Sequence, residues 1–218
     1  MWRGSPIIGD SRPIEAMRKA IDKLSRTQMP LLIAGEIGNG KSFAAREINR
    51  HSDRCNGPFI AIKCDAFQAE STRSILFGHE SGAIAGARKQ HIGCIEAAHN
   101  GTVLFQEVGD LPTEIQAKLL RVVEEGSIER VGGSQGIPVD VRLIAATRED
   151  LGQSVAEGGF RQDLYYRLNV LSLKVPPLRD RANDAELLAR FFFRRFNDHK
   201  SRHVEGFSQQ AISAMRAH

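Results

Sequence analysis

Eight consecutive residues, Gly35 to Ser42, combine three glycines, a lysine and a serine at a spacing that suits phosphate binding. They read Gly-Glu-Ile-Gly-Asn-Gly-Lys-Ser and fit the pattern G-x-x-x-x-G-K-[ST] in full. Glycines let backbone N–H groups surround phosphates, the lysine reaches the terminal phosphates, and the serine hydroxyl is suited to Mg²⁺. The sequence therefore predicts a site for ATP and Mg²⁺, with contacts from Gly35, Glu36, Gly38, Asn39, Gly40, Lys41 and Ser42. The alternative is a glycine-rich turn without a ligand.

A second polar pair, Gln106 and Glu107, follows a short apolar run. In phosphate-loop enzymes an acidic residue after a strand helps to hold Mg²⁺, and an adjacent glutamate polarises the attacking water. Glu107 suits the second role, but Gln106 offers a neutral amide to a cation that favours carboxylate oxygen. We therefore predict weak Mg²⁺ retention and slow or absent hydrolysis, unless Glu107 or Asp110 takes over the metal.

Strands and helices must bring these residues together, and the hydrophobic pattern predicts both. Short apolar runs predict strands over 31–34, 59–62, 102–105 and 139–145, and amphipathic stretches predict helices over 14–25, 42–50, 112–125 and 161–168. Their alternation indicates an α/β fold with a mainly parallel sheet covered on both faces. Two further helices are predicted over 184–197 and 208–217. We expect a nucleotide-binding subdomain over 1–175 and part of a helical lid subdomain over 176–218.

Composition narrows the class of protein. The 218 residues carry 30 Lys and Arg against 26 Asp and Glu, and the formal net charge is +4. These charges are interspersed, so direct nucleic-acid binding by this segment is not implied. The three cysteines, Cys55, Cys64 and Cys94, lack C-x-x-C spacing, and no stretch reads as a signal peptide or membrane span. This pattern predicts a cytoplasmic protein with no membrane partner, whose cysteines are free thiols in the core.

Several stretches together resemble one family, the central AAA+ domain of bacterial enhancer-binding proteins, which use ATP to remodel RNA polymerase carrying sigma-54. They are GEIGNGKS (35–42), LFGHESGAIAGA (76–87), GTVLFQEVGDLP (101–112), QAKLLRVVEEGSIERVGG (116–133), VDVRLIAATREDL (139–151), FRQDLYYRLNV (160–170) and PPLRDR (176–181). The resemblance covers nearly the whole chain. It implies an AAA+ P-loop NTPase fold whose lid is truncated, because the family's W-P-G-N-x-R-E-L motif would lie beyond residue 218.

The resemblance also implies partners and further site residues. Members self-associate into rings, contact the RNA polymerase holoenzyme, and bind DNA through a C-terminal domain that lies outside this segment. Arg161 and Arg167 occupy the positions of the family's arginine fingers, which reach the neighbouring subunit's nucleotide. The alternative is an ordinary surface arginine pair. Thr147 occupies the first sensor position, but Arg148 follows where the family commonly has Asn.

One loop departs from the family pattern. The family reads G-A-F-T-G-A and contacts sigma-54 through its Phe and Thr, whereas this chain has Gly82, Ala83, Ile84, Ala85, Gly86 and Ala87. An aromatic face and a hydroxyl are both lost. Activation of sigma-54 is therefore not expected, unless Ile84 is an adequate apolar tip.

The first residues resemble a segment with which some family members bind cyclic di-GMP. Trp2 and Arg3 could stack on guanine, and Arg54 could add a phosphate contact. The alternative is a terminal tail whose Trp2 packs on the domain.

Two functions are consistent with this sequence. In the first, the chain is a nucleotide-binding oligomerisation module of a transcription regulator, with little hydrolysis, no dependence on sigma-54 and a response to cyclic di-GMP. In the second, it is a sigma-54-dependent ATPase that remodels RNA polymerase: Glu107, Arg161 and Arg167 sustain hydrolysis, and the loop over 82–87 still acts on sigma-54.

Overall fold

The computed structural model describes residues 7–64, 69–84, 87, 89–181, 184–199 and 205–217. Its helices are α1 Arg12–Ser25, α2 Lys41–Arg50, α3 Ala69–Phe77, α4 Cys94–Ala97, α5 Thr113–Glu125, α6 Leu151–Ala156, α7 Gln162–Leu168, α8 Asp184–His199 and α9 Gln209–Ala217. Its strands are β1 Leu31–Ala34, β2 Phe59–Lys63, β3 Gly78–His79, β4 His91–Ile92, β5 Gly101–Gln106, β6 Ser127–Ile128, β7 Ile137–Pro138, β8 Val141–Thr147 and β9 Leu171–Lys174. Every strand and helix predicted above is present, with ends shifted by at most two residues.

Five strands form one sheet in the order β2-β5-β8-β1-β9, and every pair in it is parallel. The predicted parallel sheet is therefore confirmed. Strand β9 was not predicted, and it extends the sheet beyond β1. Strand β1 lies between β8 and β9. The next strand in the sequence, β2, lies at the opposite edge of the sheet, beyond β8 and β5. Such a reversal of strand order opens a crevice at the carboxyl ends of the strands, where α/β proteins bind ligands.

Both faces of this sheet are buried, as the sequence predicted. Successive residues of a strand point to opposite faces, and Val103, Leu104 and Phe105 of β5 are all fully buried. Val103 and Phe105 belong to the main hydrophobic cluster, which also includes Ile115 and Leu119 of α5. Burial on both faces fixes the sheet rigidly and so sets the positions of the residues at its carboxyl edge.

The chain divides into two compact units by its internal contacts. One unit is Ile21–Val175, which contains the five-stranded sheet, and the other is Met1–Ala20 with Pro176–His218. No helix in the described part of the chain is long and apolar enough to cross a membrane.

Asp184, at the start of α8, is the polar centre of the smaller unit. Its fully buried carboxylate accepts hydrogen bonds from the backbone N–H groups of Asp10 and Ser11, at 2.9 and 3.2 Å, and from the Ser11 hydroxyl at 2.7 Å. Arg181 donates to the same carboxylate through Nε at 3.2 Å and to the Ile8 carbonyl at 2.9 Å. One carboxylate thus joins the N-terminal segment to the beginning of α8.

The three cysteines have different environments. None of the three forms a disulfide: Cys64 is buried, Cys94 is half-buried and Cys55 is exposed. Burial raises the pKa of the Cys94 thiol. The prediction that the cysteines are core residues is confirmed for Cys64 and is wrong for Cys55.

Candidate functional site

The phosphate loop connects β1 to α2 at the carboxyl edge of the sheet. Its first residue, Gly35, donates its backbone N–H to the carbonyl of Thr147 at 3.1 Å, so the loop begins beside the end of β8. Gly38 and Gly40 have φ angles of 81° and 94°, a left-handed conformation that side chains disfavour. The Asn39 side-chain nitrogen is buried and has no hydrogen-bond partner among the described residues. The loop therefore has an unsatisfied donor of the kind a phosphate oxygen accepts from.

Lys41 lies under this loop with its side chain only 8% exposed. Its Nζ donates to the carbonyls of Gly35 and Glu36, at 2.7 and 3.2 Å. It also pairs with Glu107 Oε1 at 3.0 Å. An ammonium has three N–H donors, so all three have protein acceptors in this state. A phosphate that binds to Lys41 must replace at least one of them.

Gln106 contacts Ser42 directly, across a sequence separation of 64 residues. The Gln106 side-chain amide donates a hydrogen bond to the Ser42 hydroxyl oxygen. Ser42 is the residue predicted to ligate Mg²⁺, so the amide lies where a metal-binding carboxylate was expected. Rotating the amide by 180° would exchange its nitrogen and oxygen but would bring no charge.

These residues fit Mg²⁺ poorly. A hard divalent cation is usually held by one or two carboxylates together with the substrate phosphates. Here the Ser42 oxygen accepts a hydrogen bond from a neutral amide, and the Glu107 carboxylate is paired with Lys41. No group of three or more His, Cys, Asp or Glu suited to a metal ion exists within the described ranges. The donor set is therefore suited to anionic oxygen rather than to a cation.

Glu107 is held in a strained backbone conformation at the end of β5. Its φ and ψ angles are 55° and 57°, which place a non-glycine residue in the left-handed region. One carboxylate oxygen pairs with Lys41, and the other accepts the backbone N–H of Arg148 at 2.9 Å. The carboxylate is thereby fixed in the crevice between β5, β8 and the phosphate loop.

Thr147 and Arg148 end β8 on the other side of Glu107. Thr147 is buried, and its hydroxyl oxygen accepts the backbone N–H of Glu149 at 3.0 Å. The Arg148 guanidinium is 38% exposed and lies 3.6 Å from Asp110 and 3.5 Å from Glu149. The structure therefore brings Thr147, Glu107 and Lys41 to one edge, as their predicted roles require.

Arg161 and Arg167 are not hydrogen-bonded to the phosphate loop in the described part of the chain. Arg161 precedes α7 and forms two hydrogen bonds with Asp163, at 3.1 and 2.7 Å, which raise the pKa of its guanidinium. Arg167 lies in α7, is 60% exposed and pairs with Glu124 at 3.0 Å. Both guanidinium groups are thus at the surface and are held by exposed carboxylates.

The loop over 82–87 has a short, closed base. Gly82 donates its backbone N–H to the Ala87 carbonyl at 2.8 Å, and Ala87 donates to the Ile84 carbonyl at 3.0 Å. Ala83 has its N–H on the Glu80 carbonyl, whereas Ala85 and Gly86 lie outside the described residues.

Arg130 braces the base of this loop. It donates to Glu80 at 2.9 Å and to Glu96 of α4 at 3.0 Å. These two carboxylates, Glu96 first, hold the pKa of the Arg130 guanidinium above its ordinary value. Sequence reasoning missed this brace, because nothing in the local pattern pairs residues 34 and 50 positions apart.

Arg54 lies away from the phosphate loop, at the amino ends of the strands. It donates to Gln28 at 2.7 Å and to the Asp140 carboxylate at 2.6 Å. It also donates to the backbone carbonyl of Gly101, the first residue of β5, at 3.4 Å. A phosphate contact from Arg54 would have to compete with Asp140. Trp2 and Arg3 lie outside the described residues.

Comparison with known proteins identifies the family of proteins to which this chain is similar. Residues 7–174 match the model of the Sigma-54 interaction domain. The DNA-binding transcriptional regulator NtrC of Rhizobium meliloti (strain 1021) is 43% identical over 215 residues, which cover 99% of this chain and 44% of that protein. Regulatory protein AtoC of Escherichia coli (strain K12) is 44% identical over 216 residues, covering 99% of this chain and 47% of that protein. The chain thus spans about half the length of these relatives.

A solved structure agrees with these matches. The crystal structure of NtrX from Brucella abortus in complex with ATP is similar to this chain with a TM-score of 0.90 and 33% identity. The match covers 98% of this chain and 46% of the NtrX chain. The five-stranded parallel sheet and the phosphate loop therefore form the AAA+ P-loop fold that the sequence predicted. Because the domain match extends over most of its residues, the chain belongs to the Sigma-54 interaction domain family.

Proposed function

We propose that this chain is the nucleotide-binding and self-associating AAA+ domain of a bacterial, cytoplasmic DNA-binding transcription regulator, and that its ATP hydrolysis is weak or absent. The hydrogen bond from the Gln106 amide to the Ser42 hydroxyl is the observation that carries this proposal. It puts a neutral group beside the hydroxyl that would hold Mg²⁺. The NtrX structure in complex with ATP supports nucleotide binding by this fold.

Assembly would bring the remaining groups into place. Arg161 and Arg167 are the candidate arginine fingers, and their exposure suits a contact with the nucleotide of a neighbouring subunit. DNA binding belongs to a domain outside this segment, and the RNA polymerase holoenzyme is the proposed target. The Ile84 and Ala85 substitutions favour a target that does not depend on sigma-54.

Calorimetric titration with ATP, ADP and cyclic di-GMP in Mg²⁺ buffer tests this function, with phosphate release followed on the same sample. We expect ATP and ADP to bind and phosphate release to stay at, or only slightly above, the level of a protein-free blank. The full-length regulator is assayed beside this segment, because self-association contributes to turnover in rings of this class. Steady turnover by either sample would contradict the proposal and favour a remodelling ATPase.

Gln106→Asp is the matched variant for this assay. It restores a carboxylate beside Ser42, so we expect measurable phosphate release from the variant in the full-length regulator. A variant that binds ATP and still releases no phosphate would show that Gln106 is not the cause of the lost hydrolysis.

Cyclic di-GMP is the proposed regulatory ligand, through Trp2 and Arg3. Trp2→Ala tests it, because loss of the indole should abolish stacking on guanine while ATP binding at the phosphate loop is unchanged. Binding of cyclic di-GMP that is equal in the variant would remove this segment from the proposal.

The loop over 82–87 supports a separate prediction about the partner. We expect no transcription from a sigma-54-dependent promoter with the unmodified full-length regulator, because neither an aromatic ring nor a hydroxyl is present at 84 and 85. The double variant Ile84→Phe and Ala85→Thr should restore detectable transcription in a reporter assay, whereas Ile84→Leu should not. Transcription by the unmodified regulator would contradict independence from sigma-54.

One observation favours the rival function, a remodelling ATPase. The Glu107 carboxylate is fixed beside the phosphate loop by Lys41 and by the Arg148 backbone. This is the position from which a carboxylate polarises an attacking water.

A further inference from the structure

The Gln106 side chain does not only lack a carboxylate; its amide is also a hydrogen-bond donor. An amide nitrogen carries two N–H donors, and only one of them is used by the Ser42 oxygen in the described structure. Gln106 is half-buried at the end of β5, directly beside the start of α2. The Gln106 amide is therefore held at the phosphate loop and still has a second N–H with which to donate a hydrogen bond.

The neighbouring groups are also donors. Lys41 contributes a buried ammonium, and Asn39 contributes a buried amide nitrogen without a partner among the described residues. The α2 helix begins at Lys41, so its N-terminal N–H groups and its positive dipole end face the same loop. An anion that enters this loop therefore contacts several hydrogen-bond donors. The nearby Glu107 carboxylate is already paired with Lys41 and with the backbone N–H of Arg148.

We infer that Gln106 is a direct phosphate-binding residue and that this site binds its nucleotide without a divalent cation. The Gln106 amide donates to a terminal phosphate oxygen from the place beside Ser42, and Lys41 supplies the positive charge. Ser42 then orients the amide instead of binding metal. This inference rests on the nucleotide binding proposed above and adds the form in which the nucleotide is bound.

The test measures binding and not activity. The affinity of the protein for ADP and for ATP is determined by calorimetry, once with Mg²⁺ and once with excess EDTA. For each nucleotide, we expect the dissociation constants with Mg²⁺ and with EDTA to differ by less than about threefold. In free energy, this difference is less than half of that for a tenfold change. A loss of tenfold or more in EDTA would overturn the inference while leaving nucleotide binding in place. Absence of binding in both buffers would overturn the proposed function together with the inference.

Gln106→Glu is the decisive variant, because glutamate keeps the shape of glutamine and replaces its donors with a negative charge. We expect it to bind nucleotide at least about tenfold more weakly than the unmodified protein in EDTA. Mg²⁺ should restore most of that loss, since the new carboxylate can bind the cation. Equal binding by both proteins in EDTA would show that the amide does not touch the phosphates.

Ser42→Ala separates the two roles of the hydroxyl. If Ser42 only orients Gln106, the variant should lose a similar, small factor of affinity in both buffers. If Ser42 binds the metal, affinity should fall in Mg²⁺ and not in EDTA, and this result would also overturn the inference. Circular dichroism spectra of the variants establish that each is folded, so that a weak affinity is not a folding defect.

Discussion

Replacement of Lys41 by alanine is expected to weaken the binding of ADP and ATP by about 100-fold, since a charge-assisted hydrogen bond contributes roughly 1.5–3 kcal/mol and each tenfold change in affinity corresponds to about 1.4 kcal/mol. The ammonium is buried under the phosphate loop, so solvent screens it little. Its removal also leaves the Glu107 carboxylate unpaired beside the incoming phosphates. Loss of attraction and gain of repulsion therefore act in the same direction.

Calorimetric titration with ADP measures this effect, and Glu107→Gln is the matched control. That control removes the carboxylate that competes for the Lys41 ammonium, so it should bind ADP at least as tightly as the unmodified protein. In the double variant, the repulsion that Lys41→Ala creates is absent, and part of the lost affinity should return. Binding by Lys41→Ala within a few-fold of the unmodified protein would show that the loop does not hold phosphates through this lysine.

Asp184→Ala is expected to lower the free energy of unfolding by about 3–5 kcal/mol, the usual cost of removing one partner from a buried ion pair. The Asp184 carboxylate is fully buried and accepts from Arg181, from Ser11 and from the Asp10 backbone. Without it, a buried guanidinium and several N–H and O–H donors lose their acceptor. Urea unfolding followed by circular dichroism measures the difference.

Arg190→Ala provides the control for this variant within the same helix. Arg190 also pairs with a carboxylate, Glu186 at 2.8 Å, but its side chain is 54% exposed. Its removal should cost less than about 1 kcal/mol, as for other surface pairs. Equal effects of the two substitutions would show that the Asp184 network does not stabilise the smaller unit.

The Asp184 network also gives this stability a pH dependence of definite sign. Burial by itself raises the pKa of Asp184, but hydrogen bonds from Ser11, the Asp10 backbone and Arg181 outweigh it and hold the pKa below its ordinary value. Its contribution is therefore fully present above the unfolded-state pKa of about 3.9 and is lost as pH falls through the lower folded-state value. The difference in stability between the unmodified protein and Asp184→Ala should accordingly shrink at the acidic end of a pH series.

Local sequence predicted the elements that have strong patterns. The apolar run Leu31–Ala34 ends at a glycine-rich loop and was identified with its observed ends, because burial on both faces leaves a continuous hydrophobic stretch. Strand Leu171–Lys174 was missed, since it is only four residues long and has only two apolar residues, too few for a reliable alternating pattern. Short edge strands resemble loops in sequence.

The candidate site was predictable where a motif fixes both residue type and spacing. The phosphate-loop pattern assigned Ser42 to Mg²⁺, and the run that ends at Gln106 was assigned separately to the same ion; in the structure the two side chains are in contact. The ion pair between Lys41 and Glu107 was not predicted, since it depends on how β1 and β5 are placed on either side of β8. The ion pair between Arg54 and Asp140 was not predicted for the same reason: the two residues are 86 positions apart, and no local pattern links them.

At Glu107, a strained left-handed backbone and the carboxylate of the candidate site occur in the same residue. A left-handed conformation costs an ordinary residue roughly 1–2 kcal/mol, and glycine or asparagine would relieve much of it. Either replacement would also remove the carboxylate. Relief of the backbone strain and retention of the carboxylate therefore exclude each other at this position. Either replacement would leave the buried Lys41 ammonium without its carboxylate partner, and the cost of such an unpaired charge, about 3–5 kcal/mol, exceeds the strain that is relieved. The strained backbone at Glu107 is therefore retained by the ion pair with Lys41, whether or not water is activated there.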